Sequence, residues 1–214
     1  MLYETHRPKK WDDLIGQDRV VRRVRTLARR GLAGRAYWIS GASGIGKTTV
    51  ARLLAAEVAD PDFVVELDAG DLTPARLRDV EYGMWMYGGG KGGRAFIVNE
   101  AHGLSRAAVR QLLVLLERLP SHVVCIFTTT KDGQDELFEG NEDAHPLLSR
   151  CIVLSLTNQG LAQPFAERVH QIATAEGLNG QPVAEYVKLA RRCRNNMRAM
   201  LQAVDAGEML GGDA

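Results

Sequence analysis

The sequence predicts an α/β fold: a five-stranded parallel sheet sandwiched by helices, followed by a small three-helix domain. Short apolar runs alternate with amphipathic stretches up to residue 156, which is the pattern of repeated strand–helix units. Beyond that residue the strand-like runs stop and three helical patterns follow. We therefore expect an α/β domain over residues 1–156 and a helical lid domain over residues 157–214.

The five candidate strands are short, rich in β-branched residues and nearly continuous in hydrophobicity. Strands of a parallel sheet have this character because helices cover both of their faces. The runs lie at residues 36–40, 63–68, 94–99, 122–129 and 151–156.

Helical periodicity predicts four helices in the first domain and three in the second. In the fourth, leucine and alanine recur at helical spacing from Leu104 to Leu119, and Pro120 ends the pattern. The predicted helices cover residues 18–31, 47–59, 73–82, 105–118, 161–176, 183–193 and 196–206.

The composition, with 45% hydrophobic residues, suits a globular core. No apolar run approaches the roughly 18 residues of a membrane span, and the N-terminus lacks the apolar core of a signal peptide. Cys125, Cys151 and Cys193 lie far apart with no CxxC pair, which argues against a zinc site or a disulfide framework. We expect a cytoplasmic protein with no membrane partner.

The net charge of +1 is unevenly distributed. Residues 1–35 contain ten Arg/Lys and four acids, residues 132–143 contain six acids and no base, and residues 188–198 contain five bases and no acid. These stretches are either solvated faces or surfaces that meet nucleic acid or a charged partner. The glycine-rich stretch 86–94 is expected to be a mobile surface loop, and contact with DNA or a partner through Lys91 is the alternative.

The most specific motif is GxxxxGK[ST], which lies between the first predicted strand and the helix that follows it. Glycines allow backbone N–H groups to point inward and form an anion site, and the helix N-terminus adds partial positive charge. Lys47 is expected to reach the outer phosphates of ATP or ADP, and the Thr48 hydroxyl is expected to bind Mg²⁺. The predicted nucleotide contacts here are Gly41, Ala42, Ser43, Gly44, Ile45, Gly46, Lys47, Thr48 and Thr49.

The third predicted strand ends in Asn99-Glu100, where a phosphate-handling ATPase would be expected to have Asp-Glu. An acid at this place holds magnesium, and a following acid can polarise the attacking water. We therefore predict Glu100 as the general base and Asn99 as a magnesium position without negative charge. The missing charge is expected to weaken metal binding without abolishing nucleotide binding. The alternatives are a helix N-cap for Asn99 and a first-turn acid near the helix dipole for Glu100.

Five motifs, in order, resemble those of the clamp-loader branch of the AAA+ ATPases. "NEAHGLSRAAVRQLLVLLERLPSHVVCIFTTT" is similar to the Walker B to sensor 1 region of bacterial tau/gamma subunits, and "ETHRPKKWDDLIGQDRVVRRV" resembles the opening adenine box. Ser149-Arg150-Cys151 resembles the clamp-loader tripeptide, and "RNNMRAMLQAVD" looks like the sensor 2 helix, usually Gly-Ser-x-Arg. With the phosphate loop, the resemblance covers residues 1–206.

The resemblance implies ATP hydrolysis in a homo- or hetero-oligomer of AAA+ subunits that acts on primer–template DNA during replication, with a sliding clamp as a further partner. It implies that Thr130 is sensor 1, that Arg150 is an arginine finger for a neighbouring subunit and that Arg198 is sensor 2 at the phosphates. The implied adenine residues are His6, Arg7, Pro8, Ile15 and Gly16. The catalytic set is thus Lys47, Glu100, Thr130, Arg150 and Arg198.

The sequence departs from the family pattern in several places. Asn99 replaces the usual Asp, so weak hydrolysis is expected, and the zinc-binding cysteines of bacterial tau/gamma subunits are absent. The stretch from Thr130 to Arg150 is longer than usual and acidic, and a chain lacking the helical collar domain is expected. Two alternative functions remain open: a nucleotide-gated scaffold that does not hydrolyse ATP, and a AAA+ helicase loader or transposition regulator.

Overall fold

The computed structural model of the chain describes residues 1–130 and 144–211. Within them, five parallel strands form one sheet in the order β2-β3-β4-β1-β5. Each predicted strand is found to within one residue at either end, so the predicted parallel sheet is confirmed. The strands are β1 (Arg35–Ser40), β2 (Val64–Asp68), β3 (Arg94–Asn99), β4 (Val123–Thr129) and β5 (Cys151–Ser155).

All seven predicted helices are present, and the described residues contain two further helices, α1 and α6, that were not predicted. Both are short, with four and six residues, so neither contains enough turns for a periodic signal. The helices are α1 (Leu2–Thr5), α2 (Asp18–Ala28), α3 (Lys47–Val58), α4 (Pro74–Met84), α5 (Arg106–Glu117), α6 (Ala144–Ser149), α7 (Ala162–Ala175), α8 (Val183–Arg192) and α9 (Met197–Asp205).

The described residues form two compact units. The sheet unit contains Val20–Gly41 and Lys47–Ser155 apart from residues 131–143. The helical unit contains Met1–Arg19, Ala42–Gly46 and residues 156–211. The N-terminal segment and the tip of the phosphate loop, which lie within the predicted α/β domain by sequence, therefore belong to the helical unit. The division of the chain into domains at residue 156 stays a prediction.

The core of the sheet unit has two layers because successive side chains of a strand point to opposite faces. On one face, Trp38 of β1 and Phe127 of β4 lie with ring centroids 5.7 Å apart. Leu77 of α4 and Leu112 of α5 belong to the same buried cluster. On the other face, α3 packs against the sheet with side chains such as Leu54, which is fully buried. Helices on both sides explain the nearly continuous apolar strands.

The helical unit is built around α7, α8 and α9. Their apolar faces bury Phe165, Val169, Tyr186 and Met200. The Tyr186 hydroxyl donates to the Asn179 side chain at 3.0 Å, so the polar end of this buried ring is satisfied. The predicted three-helix lid is confirmed as three packed helices. Among the described residues, no helix is long and apolar enough to cross a membrane.

The glycine-rich loop between α4 and β3 lies at the surface of the sheet unit. The Lys91 N–H donates to Asp60 Oδ2 at 2.9 Å, and the Lys91 ammonium donates to the Ala56 carbonyl. The Tyr87 ring stacks on His122 with centroids 4.0 Å apart. Since Lys91 is occupied within the chain, the structure does not favour contact with a partner through this residue. The mobility of the loop stays a prediction.

The charged stretches differ in how far their side chains are engaged. Arg22 and Arg23 of α2 are exposed on the sheet unit. In the helical unit, Lys188 pairs with Glu185 at 2.7 Å and Arg192 pairs with Glu208, so part of the second basic stretch is neutralised locally. The acidic stretch 132–143 lies outside the described residues.

Candidate nucleotide-binding site

The phosphate loop connects β1 to α3, as predicted. Gly46 has φ +108, a backbone conformation that residues with a side chain rarely adopt. Lys47 is the first residue of α3, and its side chain is buried with Nζ donating to the Gly41 carbonyl at 3.1 Å. The ammonium group thus folds back over the start of the loop. A phosphoryl oxygen could bind it in exchange for this carbonyl.

The tip of the loop packs within the helical unit against the N-terminus of α9. The Gly44 carbonyl accepts a hydrogen bond from the Met197 N–H at 3.1 Å. Asn196 caps α9, since its Oδ1 accepts from the Ala199 N–H at 3.0 Å. A Cβ atom on Gly44, which has φ +73, would lie 1.8 Å from this Oδ1. Gly44 is therefore required by both its backbone and its neighbour, although the motif tolerates any residue there.

The turn before α9 contains two residues in the left-handed region, Arg194 with φ 53 and Asn195 with φ 59. Asn195 stands where the sensor 2 pattern usually has Gly, and asparagine is among the residues that adopt this conformation most readily. Its Nδ2 donates to the Asn158 carbonyl at 3.1 Å. This turn positions Arg198, whose guanidinium lies over the Tyr3 ring at 5.4 Å from its centroid. Contact of Arg198 with phosphates stays a prediction.

The predicted adenine residues all lie in the helical unit. His6 Nε2 lies 2.6 Å from Glu176 Oε1, and Arg7 pairs with Glu4 at 2.6 Å. Pro8 and Ile15 are half-buried. These contacts fix the N-terminal segment on the helical unit, while its contact with adenine stays a prediction.

Gly16 and Gln17 contact the start of the C-terminal helical region. Gly16 has φ +70, and a Cβ atom there would lie 2.2 Å from Leu161 Cδ2. The buried Gln17 side chain donates to the Thr157 carbonyl at 2.9 Å and accepts from the Thr157 N–H at 3.0 Å. The contact between Gln17 and Thr157 was not predicted, because only the fold brings these two residues together.

Asn99, at the end of β3, uses both ends of its amide in hydrogen bonds. Its Nδ2 donates to Glu66 Oε1 at 2.7 Å, and its Oδ1 accepts from the Thr128 hydroxyl at 3.0 Å. Glu66 also accepts from Arg52 Nε at 2.9 Å. The Asn99 side chain therefore bridges β2 and β4, and the N-cap position of the next turn is taken by Glu100.

The residues predicted to bind magnesium offer it neutral oxygens. Asn99 Oδ1 already accepts one hydrogen bond, and Thr48 is half-buried in the first turn of α3. Within the described residues there is no group of three or more His, Cys, Asp or Glu that could hold a metal ion. Because Mg²⁺ prefers oxygen ligands and is commonly held by few protein groups plus phosphates, these residues fit it only together with a nucleotide.

Glu100 has a strained backbone, with φ 50 and ψ 48. Such left-handed conformations are uncommon for residues other than Gly, Asn and Asp, and they cluster at functional sites. The carboxylate is exposed, and its Oε2 lies 3.4 Å from His102 Nδ1. Sequence reasoning missed His102, which the turn Ala101–Gly103 places beside Glu100.

Thr130 and Arg150 lie in the sheet unit. Thr130 is half-buried and directly follows β4. Arg150 is exposed, and its Nη2 pairs with Glu117 Oε1 at 2.5 Å while its Nη1 donates to the Pro146 carbonyl at 3.0 Å. The arginine is thus held at the surface by the end of α5.

The cysteines have the environment of inert thiols. Cys125, Cys151 and Cys193 are free, and the Cys151 Sγ donates to the Leu147 carbonyl at 3.3 Å. Burial raises the pKa of Cys151 to about 12, and it raises the pKa of Cys125 further. A raised thiol pKa leaves little of the reactive thiolate at neutral pH.

Comparison with known proteins identifies the class. Residues 37–159 match the family described as "ATPase family associated with various cellular activities (AAA)". This match covers more than half of the 214 residues, and the chain belongs to this family.

Within the class, the relatives are tau and gamma/tau subunits of DNA polymerase III. The chain is 25% identical to DNA polymerase III subunit tau of Bacillus subtilis over 99% of its own length and 40% of that protein. It is 27% identical to the Escherichia coli subunit tau over 96% of the chain and 34% of that protein. DNA polymerase III subunit gamma/tau of Mycobacterium tuberculosis is 30% identical over 61% of the chain and 27% of that protein. The chain thus spans at most about 40% of these relatives and is an AAA ATPase related to them.

Solved structures show the same fold. A Thermotoga maritima RuvB variant superposes with a TM-score of 0.72 at 20% identity, covering 93% of this chain and 64% of that one. NtrX from Brucella abortus superposes with a TM-score of 0.59 at 18% identity, covering 94% and 52%. At these identities the likeness concerns the fold.

Proposed function

We propose that the chain is an ATP-binding subunit of clamp-loader type that hydrolyses ATP within an oligomer of AAA+ subunits. The observation that carries this proposal is the phosphate loop at the β1–α3 junction, with the buried Lys47 amine folded over Gly41. The tau relatives, aligned over nearly the whole chain, support the clamp-loader assignment. ATP and ADP are the proposed ligands, with the phosphates bound by Gly41–Thr49 and Mg²⁺ by Thr48 and Asn99.

We assign the catalytic roles to two residues at the ends of β3 and β4 and to two exposed arginines. Glu100 would take the proton of the attacking water, and Thr130 would orient that water or the γ-phosphate. Arg198 would contact phosphate from the lid. Arg150, exposed on the sheet unit, would complete a neighbouring subunit's site, so an isolated chain should be nearly inactive.

A non-hydrolysing scaffold is the second candidate, and the bonding of Asn99 favours it. Its amide brings no negative charge and is held by Glu66 and Thr128. Magnesium would then rest on Thr48 and the phosphates. Steady-state ATPase, measured with DNA and candidate partner subunits present, separates the two functions: turnover that is lost in Glu100→Gln eliminates the scaffold.

We also propose that the protein binds DNA and a sliding clamp and that it acts in the cytoplasm. The exposed Arg22 and Arg23 of α2 support contact with nucleic-acid phosphates, and the free cysteines suit a reducing compartment. Phosphate contacts make DNA binding steeply salt-dependent, so the affinity for primed DNA should fall as the salt concentration rises. In a variant with both arginines changed to Gln, this fall of affinity with salt should be less steep. An unchanged salt slope would contradict contact through α2.

Calorimetry with ATP, ADP and Mg²⁺ tests the nucleotide site. In Lys47→Ala the affinity for ATP should fall roughly 10- to 100-fold, because a charge-assisted bond to phosphate is lost. Lys188→Ala is the control, since Lys188 lies on the exposed face of α8 and pairs with Glu185. Equal affinities in wild type and Lys47→Ala would show that the phosphate loop is misassigned.

Oligomeric state tests the assembly independently. Light scattering should show a higher mass with ATP, Mg²⁺ and primed DNA, or with partner subunits, than without them. Arg150→Ala should assemble but lose turnover, because the finger acts on the neighbour's nucleotide. Turnover unaffected by Arg150→Ala would remove the finger from the proposal.

A further inference from the structure

His102 lies between Glu100 and Thr129, at the ends of β3 and β4. Its Nδ1 is 3.4 Å from Glu100 Oε2 and 3.3 Å from the Thr129 hydroxyl oxygen. The Thr129 hydroxyl donates to the Thr130 carbonyl at 3.1 Å, which leaves its oxygen able to accept from an Nδ1–H group. The Nδ1–H tautomer is the one in which the imidazole can donate to both neighbouring oxygens.

The two residues on either side of His102 Nδ1 differ in exposure. Thr129 is fully buried in the sheet, and its hydroxyl contacts the imidazole of His102. The Glu100 side chain is 55% exposed and projects from a left-handed residue. The turn between them is closed by a hydrogen bond from the Gly103 N–H to the Glu100 carbonyl at 2.8 Å. An imidazole in contact with the buried Thr129 therefore stands beside an exposed carboxylate.

We propose that His102 is a positioning residue for Glu100. Its Nδ1–H holds the carboxylate at the end of β4 and, through Thr129, couples it to Thr130. The coupling rests on the proposed roles of Glu100 as general base and Thr130 as sensor. A base that is oriented by a third group is more effective, because fewer of its conformations point away from the water.

Two matched substitutions test this role. His102→Asn keeps an N–H donor near the place of Nδ1, whereas His102→Phe keeps the ring and removes the donor. In the assembled, DNA-stimulated protein, His102→Phe should lower kcat roughly 10-fold and leave the affinity for ATP unchanged, the size seen when an orienting partner is lost. His102→Asn should retain most of the activity. An equal loss in both variants, or a loss of ATP affinity matching that of kcat, would overturn the proposal.

Epistasis with Glu100 gives a second readout of the same role. In a Glu100→Gln background, adding His102→Phe should cause no further fall in the residual single-turnover rate of ATP cleavage, because the group that His102 positions is already disabled. A further tenfold fall would mean that His102 acts elsewhere.

A spectroscopic readout does not depend on hydrolysis. Long-range ¹⁵N–¹H spectra of the full chain should show a protonated Nδ1 for His102, with the signal assigned by its loss in His102→Asn. Thr129→Val should shift this signal, and Thr129→Ser, which keeps the hydroxyl, should not. An unprotonated Nδ1 would overturn the proposal. A protonated Nδ1 in a protein without any turnover would refute the proposed hydrolysis while supporting the hydrogen-bonded placement of Glu100.

Discussion

Gly44→Ala is the substitution for which the structure makes the sharpest prediction about stability. Gly44 has φ +73, and the new Cβ would lie 1.8 Å from Asn196 Oδ1. The added methyl group therefore meets two obstacles: a backbone conformation unfavourable to alanine, and the side chain that caps α9.

The two contributions can be separated by magnitude. An L-residue in the left-handed region costs about 1–2 kcal/mol. To make room, Asn196 must move from the Ala199 N–H, and losing such a cap costs about 1 kcal/mol. Gly44→Ala should then lower the free energy of unfolding by about 2–3 kcal/mol. Gly160→Ala should lower it by only about 1–2 kcal/mol, because Gly160 has φ +71 but nothing within 4 Å of its Cβ position.

Urea unfolding, followed by circular dichroism without nucleotide, measures these differences. Asn196→Gly is the matched partner, because glycine at an N-cap costs only a few tenths of a kcal/mol and removes the colliding atom. The double variant with Gly44→Ala should recover about 1 kcal/mol relative to the sum of the single changes. Equal destabilisation by Gly44→Ala and Gly160→Ala, or strict additivity with Asn196→Gly, would refute the contact between the loop tip and α9.

Three further predictions concern the sheet unit. Leu77→Ala, at a fully buried site, should destabilise by about 2–5 kcal/mol in urea, whereas Val114→Ala, at a side chain 52% exposed, should change stability by less than about 0.5 kcal/mol. Because burial raises the pKa of Cys151 above its ordinary value of 9.0, the unfolded chain loses the thiol proton first as pH rises above 9.0, and the free energy of unfolding falls. Cys151→Ala should reduce this fall of the unfolding free energy with pH by up to about 1.4 kcal/mol per pH unit. Asn99→Asp places a carboxylate where an amide donates to Glu66, so it should lower the free energy of unfolding of the metal-free protein by about 1–2 kcal/mol. Adding Glu66→Gln should recover this stability. Additive effects of the two changes in urea denaturation would contradict the prediction.

The succession of strands and helices along the chain could be predicted because its signals are local. A strand buried on both faces reads as a continuous apolar run, and the long helices contain several periods of their pattern. The phosphate loop was visible for the same reason, since its glycines and Lys47 are consecutive in sequence. α6 was missed because six residues give no periodic signal.

The contacts that shape the candidate site could not be predicted, because they join residues distant in sequence. Gly44 meets Asn196 only after the chain returns to the loop tip from the C-terminal helices. His102 meets Thr129 because β4 is the neighbour of β3 in the sheet, and strand order is not written in either segment. Hydrophobic pattern predicts which residues are buried, but polar partners depend on topology.

Asn99 has a structural role at a position proposed to bind magnesium. An amide donates through one atom and accepts through the other, so it can satisfy Glu66 and the Thr128 hydroxyl at once, which an ionised aspartate cannot do. The link ties the end of β3 to strands on both sides and holds the backbone immediately before the strained Glu100. Asn99→Asp therefore changes two things: the charge at the proposed magnesium position and the anchoring of β3. Asn99→Asp alone carries two opposed carboxylates, at positions 99 and 66, whereas Asn99→Asp with Glu66→Gln carries only the new one. A gain in turnover shared by both variants is therefore due to the charge at position 99.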